Sequence, residues 1–334
     1  MKVIFDGIIF ELQKIGGISK LFKNVFQNLK INFEILLKNP KPNLSKFNQI
    51  YESKSMFRRF KNVCIDNNQI FHSTYYRLSN SKNNIVSFYD FTHEILKKNN
   101  PKTIILKKIK YNAAKKSRKI ICISEHTRND LLNIYGKEFE KKTTVIYPII
   151  SEKFFINDFN NNFNNDVIFI GSREKYKNFK NTVLAVKKIN YLKLKIIGGG
   201  PLSLSEKLYL KFHLPNRFIH SGYLTDDELN NEYNKAYCLV YCSYYEGFGI
   251  PIIEAMKSGC PVISRRGSSI TEVAGKTQFL LNDGNFNEIA EALEALKDTK
   301  TRYLEKKLNM DNIKRFDTSK IIQKLENTYR NIDA

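Results

Sequence analysis

Two carboxylates around a glycine loop are the residues best suited to chemistry in this chain. Glu246-Gly247-Phe248-Gly249-Ile250-Pro251 is followed by Glu254, eight positions after Glu246. An apolar run from Cys238 to Cys242 enters the loop. Pro251 sits where a first helical position is expected, and Gly259 where a helix should end. The stretch therefore predicts strand, loop, helix and, from Pro261 to Ser264, a second strand. Glu246 then lies in the loop and Glu254 about one turn into the helix. Unpaired N–H groups of such a loop hold phosphate or hydroxyl oxygens, while carboxylates accept hydrogen bonds from sugar hydroxyls. A nucleotide sugar offers both kinds of oxygen. Taken alone, the carboxylate pair fits an ordinary βαβ turn equally well, with one solvated and one helix-capping glutamate.

Cations that suit the same ligand stand upstream. Asp166 to Ile170 reads as a buried strand, and it leads into Gly171-Ser172-Arg173-Glu174-Lys175-Tyr176-Lys177-Asn178. Arg173 and Lys177, four apart in a loop or first helical turn, can both point at one site. Gly198-Gly199-Gly200 lacks the Gly-x-Gly-x-x-Gly spacing and the later acidic residue of a dinucleotide fingerprint, which argues against an NAD enzyme. Nearer the start, Gly16-Gly17 opens an apolar helical pattern (Ile18, Leu21, Phe22, Val25, Phe26, Leu29) and can bring backbone close to a phosphate.

The loop at 246–251, Glu254-Ala-Met, Gly259-Cys-Pro-Val-Ile263, and Ser268-Ser269 followed by Glu272-Val-Ala-Gly275 together resemble the donor-site signature of glycosyltransferase family 4. The likeness covers nearly the whole chain and is dense from Asp166 to Gly275. It implies an α/β, GT-B architecture: two Rossmann-like doubly wound domains facing across a cleft, with acceptor chiefly on the first and donor on the second. It also implies a retaining, mannosyltransferase-like transfer from a nucleoside diphosphate sugar, with neither cofactor nor metal. On that resemblance Arg173 and Lys177, with Gly16 and Gly17, take the diphosphate. Glu254 takes the ribose, Tyr223 and Leu224 lie under the base, and Glu246 with Gly247, Phe248, Gly249 and Ile250 meets the sugar. Where the family commonly has His-Asp, this chain has Tyr89-Asp90, so either the histidine's role is absent or His93, one helical turn on, covers it. Asp90 and His93 join the catalytic candidates.

The elements that must position these residues alternate between strand and helix patterns, as in parallel sheets covered by helices. Strands are expected at 33–37, 70–76, 84–88, 119–123 and 145–147 in the first half, and at 166–170 and 191–197 in the second. At 334 residues two domains are expected. We place them at 1–150 and 166–317, with an Asn-rich linker at 151–165 and a last helix at 318–334 packing back on the first.

Composition narrows the class. With 24 Phe and 18 Tyr there is enough apolar bulk for two cores, and no apolar run approaches the ~20 residues that span a bilayer. The opening Met-Lys-Val-Ile-Phe-Asp reads as a strand and not a secretion signal, so the cytoplasm is the expected location. Five cysteines without a Cys-x-x-Cys read as reduced core residues. The net charge of +22 attracts nucleic acid or anionic membrane. No basic, aromatic-interleaved module for nucleic acid is present. Lys97-Lys98, Lys107-Lys108, Lys110 and 115–119 fall in one helical region, which suits peripheral attachment to the inner face of a membrane; a purely compositional lysine excess is the alternative. The expected partners are thus a nucleotide sugar, a saccharide or lipid-linked saccharide acceptor, and an anionic membrane surface. Two other functions remain open at this stage: a nucleotide-sugar-binding protein without turnover, and a GT-B-like phosphorylase or epimerase.

Overall fold

The computed structural model describes residues 2–13, 16–52, 61–97, 100–157 and 163–332. The chain divides into two compact units, Met1–Ile149 with Phe316–Ala334, and Ile150–Arg315. In the first unit the order is β1 (Val3–Asp6), α1 (Ile9–Leu12), α2 (Gly17–Asn28), β2 (Phe33–Leu37), β3 (Gln49–Tyr51), β4 (Ile70–Ser73) and β5 (Asn84–Phe88). It continues through α3 (Thr92–Leu96), α4 (Pro101–Lys116), β6 (Lys119–Cys122), α5 (Glu125–Tyr135) and β7 (Thr143–Val145). The second unit runs β8 (Asp166–Ile170), α6 (Phe179–Lys188), β9 (Lys193–Ile197), α7 (Leu204–His213), β10 (Phe218–Gly222), α8 (Asp226–Lys235) and β11 (Cys238–Tyr241). After these come α9 (Ile250–Lys257), β12 (Val262–Arg265), α10 (Ser268–Ala274), β13 (Leu280–Leu281), α11 (Phe286–Ala295) and α12 (Thr299–Ile313). The chain then returns to the first unit with α13 (Thr318–Arg330).

Each unit holds one parallel sheet. The orders are β3-β2-β1-β4-β5-β6-β7 and β10-β9-β8-β11-β12-β13. In both, the first strand made sits inside and the chain winds outward in one direction before restarting on the other side. That reversal leaves a crevice at the carboxyl ends of the two innermost strands, between β1 and β4 and between β8 and β11, where open α/β sheets bind ligands. Central strands are buried on both faces because helices cover the sheet on each side. All four residues of β1 and of β11 are buried.

In the first unit Phe5 on β1 is ringed by Phe22 and Phe26 of α2 and by Tyr329 of α13, with ring centroids 4.9 to 6.2 Å apart. His72 on β4 completes that core. Its Nδ1 lies 2.7 Å from the Tyr329 hydroxyl and its Nε2 2.8 Å from Ser87 Oγ, and burial lowers its pKa to about 3. The ring is thus a neutral core group.

Several expected boundaries shift. β4 stops at Ser73, ahead of Tyr76 with its left-handed φ of 62°, and β7 stops at Val145, short of Pro148. The Asn-rich stretch is packed onto the second unit as far as it is described. Phe154 is buried against Tyr233, the Phe155 amide donates to Asn230, and Asn157 exchanges hydrogen bonds with Asn230, Asn231 and Asn234 of α8. Residues 158–162 of the expected linker lie outside the described residues.

The basic region is also smaller than its sequence suggests. Lys110 shares a buried helix face with Ala113, Ala114 and Ser117, where its ammonium lies 2.8 Å from Glu94 and over the Phe91 ring. Lys107, Lys108, Lys115 and Lys116 are exposed; Lys98 lies outside the described residues. All five cysteines are free, four of them buried and Cys64 exposed.

Candidate functional site

The switch point of the second sheet brings together the loops that carry the sequence motifs. After β8 the chain passes Arg173 and makes a short turn at Lys175–Lys177. It then enters α6 through Asn178, whose left-handed φ of 62° is one that asparagine tolerates. After β11 it forms the glycine loop, and Gly249 at φ 106° supplies the N-cap of α9, with Pro251 in the first turn and Gly259 just past the last. A side chain at Gly249 would be strained by that φ and would press on Ile252. The two loops are tied by the Tyr244 amide, which donates to the Tyr176 carbonyl over 2.7 Å.

Lys177 and Glu246 meet here. Nζ lies 2.5 Å from Oε1, each side chain is 13% exposed, and the ammonium also sits over the rings of Tyr176 and Tyr241. Burial works against the charge on Lys177, but Tyr241 and the Glu246 carboxylate overrule it, and the ammonium is held well above its usual pKa. Glu254 is buried at 6% in α9, one turn from the loop and against the fully buried Tyr233. Gly247, Phe248 and Gly249 are buried, Ile250 is partly exposed, and Tyr223 and Leu224 follow β10 with Tyr223 exposed.

Arg173 is more constrained than a solvated cation. Its Nε donates to Glu206 at 2.7 Å, and its two terminal nitrogens reach the carbonyls of Gly198, Gly200 and Pro201 at 3.0 to 3.3 Å. The triple-glycine turn is thereby folded around the guanidinium. A Cβ on Gly199 would stand 2.2 Å from the Gly171 carbonyl oxygen, which is why glycine is required there.

The sequence motifs gave no role to three supports of the site. Ser268 Oγ accepts from the Glu246 amide, and Ser269 Oγ lies 2.9 Å from the carbonyls of both Glu246 and Phe248, so the start of α10 clamps the glycine loop. Asn178 donates from Nδ2 to the Gly284 carbonyl, fixing the Lys177 loop from the far side. Glu206, which holds Arg173, was visible only as the third residue of a capping box with Ser203.

In the first unit the candidates are more scattered. Tyr89, at the end of β5, is buried and donates to the Thr74 carbonyl at 2.8 Å, so its hydroxyl is committed to holding the loop after β4. Asp90 accepts from the Thr92 amide and closes the turn into α3, while its carbonyl receives Lys110. His93 lies on the exposed side of α3. Gly16 caps α2 in an extended conformation, its amide donating to Ser19 Oγ, and a Cβ on Gly17 would meet no atom of the described residues within 4 Å. Among the described residues, no group of three or more His, Cys, Asp and Glu could hold a metal ion. No described helix is long and apolar enough to cross a membrane.

Residues 150–315 match the family described as Glycosyl transferases group 1, and those bounds coincide with the second unit. The second unit matches that family from its first residue to its last. Over the whole chain, the structure is similar to the crystal structure of HepE from Anabaena with UDP-glucose. The TM-score is 0.78 at 14% identity, covering 99% of this chain and 100% of that one. TarM from S. aureus is similar with a TM-score of 0.64 at 20% identity, over 78% of this chain and 55% of TarM. The fold is therefore GT-B. In sequence, an uncharacterized glycosyltransferase of Methanocaldococcus jannaschii is 26% identical over 99% of both chains. The O-antigen chain mannosyltransferase B of Escherichia coli is 33% identical over 110 residues, 33% of this chain and 29% of that enzyme.

Proposed function

We propose that the chain is a retaining family 4 glycosyltransferase. It moves a sugar, mannose in the reading we favour, from a nucleoside diphosphate sugar to a saccharide or lipid-linked saccharide of a bacterial surface polysaccharide. The observation that carries this is the Lys177–Glu246 pair at the switch point of the unit that matches the group 1 family, with the glycine loop and Glu254 beside it. Similarity to O-antigen mannosyltransferases of Escherichia coli and Salmonella typhimurium supports the acceptor class and the sugar.

The chemistry follows from charge. Departure of a nucleoside diphosphate builds negative charge on phosphate oxygen, and a fixed, preorganised cation stabilises that charge better than the ground state. Lys177 and Arg173 are assigned to it, in place of a divalent metal. Glu254 accepts from the ribose, Glu246 and the Gly247–Ile250 backbone hold the sugar, and the turn at Tyr223 and Leu224 receives the base. Asp90 and His93 are the first unit's proton-handling candidates, and the Gly16–Gly17 backbone its phosphate contact. The exposed lysines of α4 would meet the inner face of the membrane, with salt-sensitive binding.

A panel of UDP-, GDP-, ADP- and CMP-linked sugars in thermal melts identifies the donor, since a ligand of the native state raises the melting temperature. NMR of the product then gives the anomeric configuration, and inversion would sink the retaining assignment. Tyr89, with its hydroxyl engaged at the position of the family's histidine, favours one other reading, a donor-binding protein without turnover. Donor that stabilises the protein yet is never consumed, with or without acceptors, would establish it.

A further inference from the structure

The outer face of α7 carries a stripe that packing does not explain. Leu204, Leu208 and Phe212 recur every fourth residue and are 74, 60 and 77% exposed, while Leu210 on the opposite side is fully buried in the core. By helix rise the stripe is about 12 Å long. Water-facing apolar side chains occur singly on most proteins, but three aligned ones this prominent form a patch that calls for a partner.

We propose that this face inserts into an anionic lipid surface, lying in the plane of the headgroups. Its rim is cationic. Lys207 and Lys211 are exposed beside the stripe, Lys187 Nζ sits 5.8 Å from the centre of the Phe212 ring, and Lys180 lies over Tyr209. The one acidic residue of the helix, Glu206, is turned to Arg173. Apolar side chains flanked by lysines whose stems extend toward the headgroups are the signature of an interfacial helix. A second copy of this chain would set lysine against lysine. Side chains exposed to this degree protrude, which suits a soft acyl boundary better than a preformed protein groove. The inference is independent of the transfer reading, and it concerns a face of the second unit, not the basic helix of the first.

The chain contains no tryptophan, so Phe212→Trp places a single reporter on the stripe. Mixed phosphatidylglycerol–phosphatidylcholine vesicles should shift its emission to the blue, brominated lipid should quench it, and phosphatidylcholine alone should do neither. Leu204→Ser/Leu208→Ser/Phe212→Ser, all at exposed positions, should keep the wild-type melting temperature and weaken vesicle binding by about 100-fold or more. Three results would each overturn the proposal. One is an unshifted indole on protein that nonetheless pellets with acidic vesicles, which would place attachment elsewhere. Another is a blue shift without lipid that grows with protein concentration, which would make a second copy the occupant. The third is no vesicle binding at all.

Discussion

Lys177 Nζ lies 2.5 Å from Glu246 Oε1, and this ion pair joins side chains of the loops that leave the two innermost strands of the second sheet. The residues are 69 positions apart in sequence. If the pair is the core of the transfer site, Lys177→Ala lowers kcat more than it raises KM, by roughly 10²–10³-fold, as for loss of one preorganised donor. Initial rates in excess EDTA test the metal question in the same assay. Loss of wild-type activity in EDTA, restored by Mg²⁺ or Mn²⁺, rules out a metal-independent mechanism.

Glu254→Gln keeps the helix and removes the charge. An assignment to ribose predicts donor binding weaker by about 10- to 150-fold, the loss of one charge-assisted hydrogen bond. Calorimetry returning the wild-type nucleotide affinity would remove Glu254 from the site.

Arg173 has two tasks, and they separate by assay. Because its guanidinium satisfies three carbonyls and Glu206, Arg173→Ala should lower stability by about 1–3 kcal/mol as well as activity. Arg173→Lys should restore only part of either, since an ammonium cannot reproduce the planar fork. An unchanged melting temperature in the alanine variant would mean that the turn holds without it.

His72 gives a pH signature. Its folded pKa is depressed to about 3 from an ordinary 6.5, so below pH 6.5 the unfolded chain takes up a proton that the folded one refuses. The sign follows: stability is complete above 6.5 and falls as pH drops toward 3, by about 1.4 kcal/mol per pH unit at most. Denaturant titrations at pH 7 and pH 5 should show a smaller loss in His72→Gln than in wild type. Equal losses would refute this account of His72.

The loop from Glu246 to Gly259 was legible from sequence because its determinants are local: two glycines, a proline in the first turn and a glycine past the last. The Lys177–Glu246 contact was not, since it depends on β8 and β11 being neighbours, which strand patterns alone do not state. Lys110 shows the limit of counting charge. Sequence reading counted it with the basic membrane-facing residues, whereas it is buried beside Ala113 and Ala114, where Glu94, sixteen positions earlier, the Asp90 carbonyl and the Phe91 ring receive its ammonium. Composition likewise marked 151–165 as a linker, whereas Asn157 is held by the asparagines of α8.

The return of α13 to the first unit bears on how the molecule is made. Tyr329 closes over Phe5 and supplies the partner of His72, yet it leaves the ribosome only after all of Ile150–Arg315. Domains generally fold as they emerge. Here the unit begun first is the one completed last: every residue of the second unit is made before the lid of the aromatic core around Phe5. A released chain truncated before residue 316 should therefore carry a protease-resistant second unit beside a first unit that remains open to cleavage.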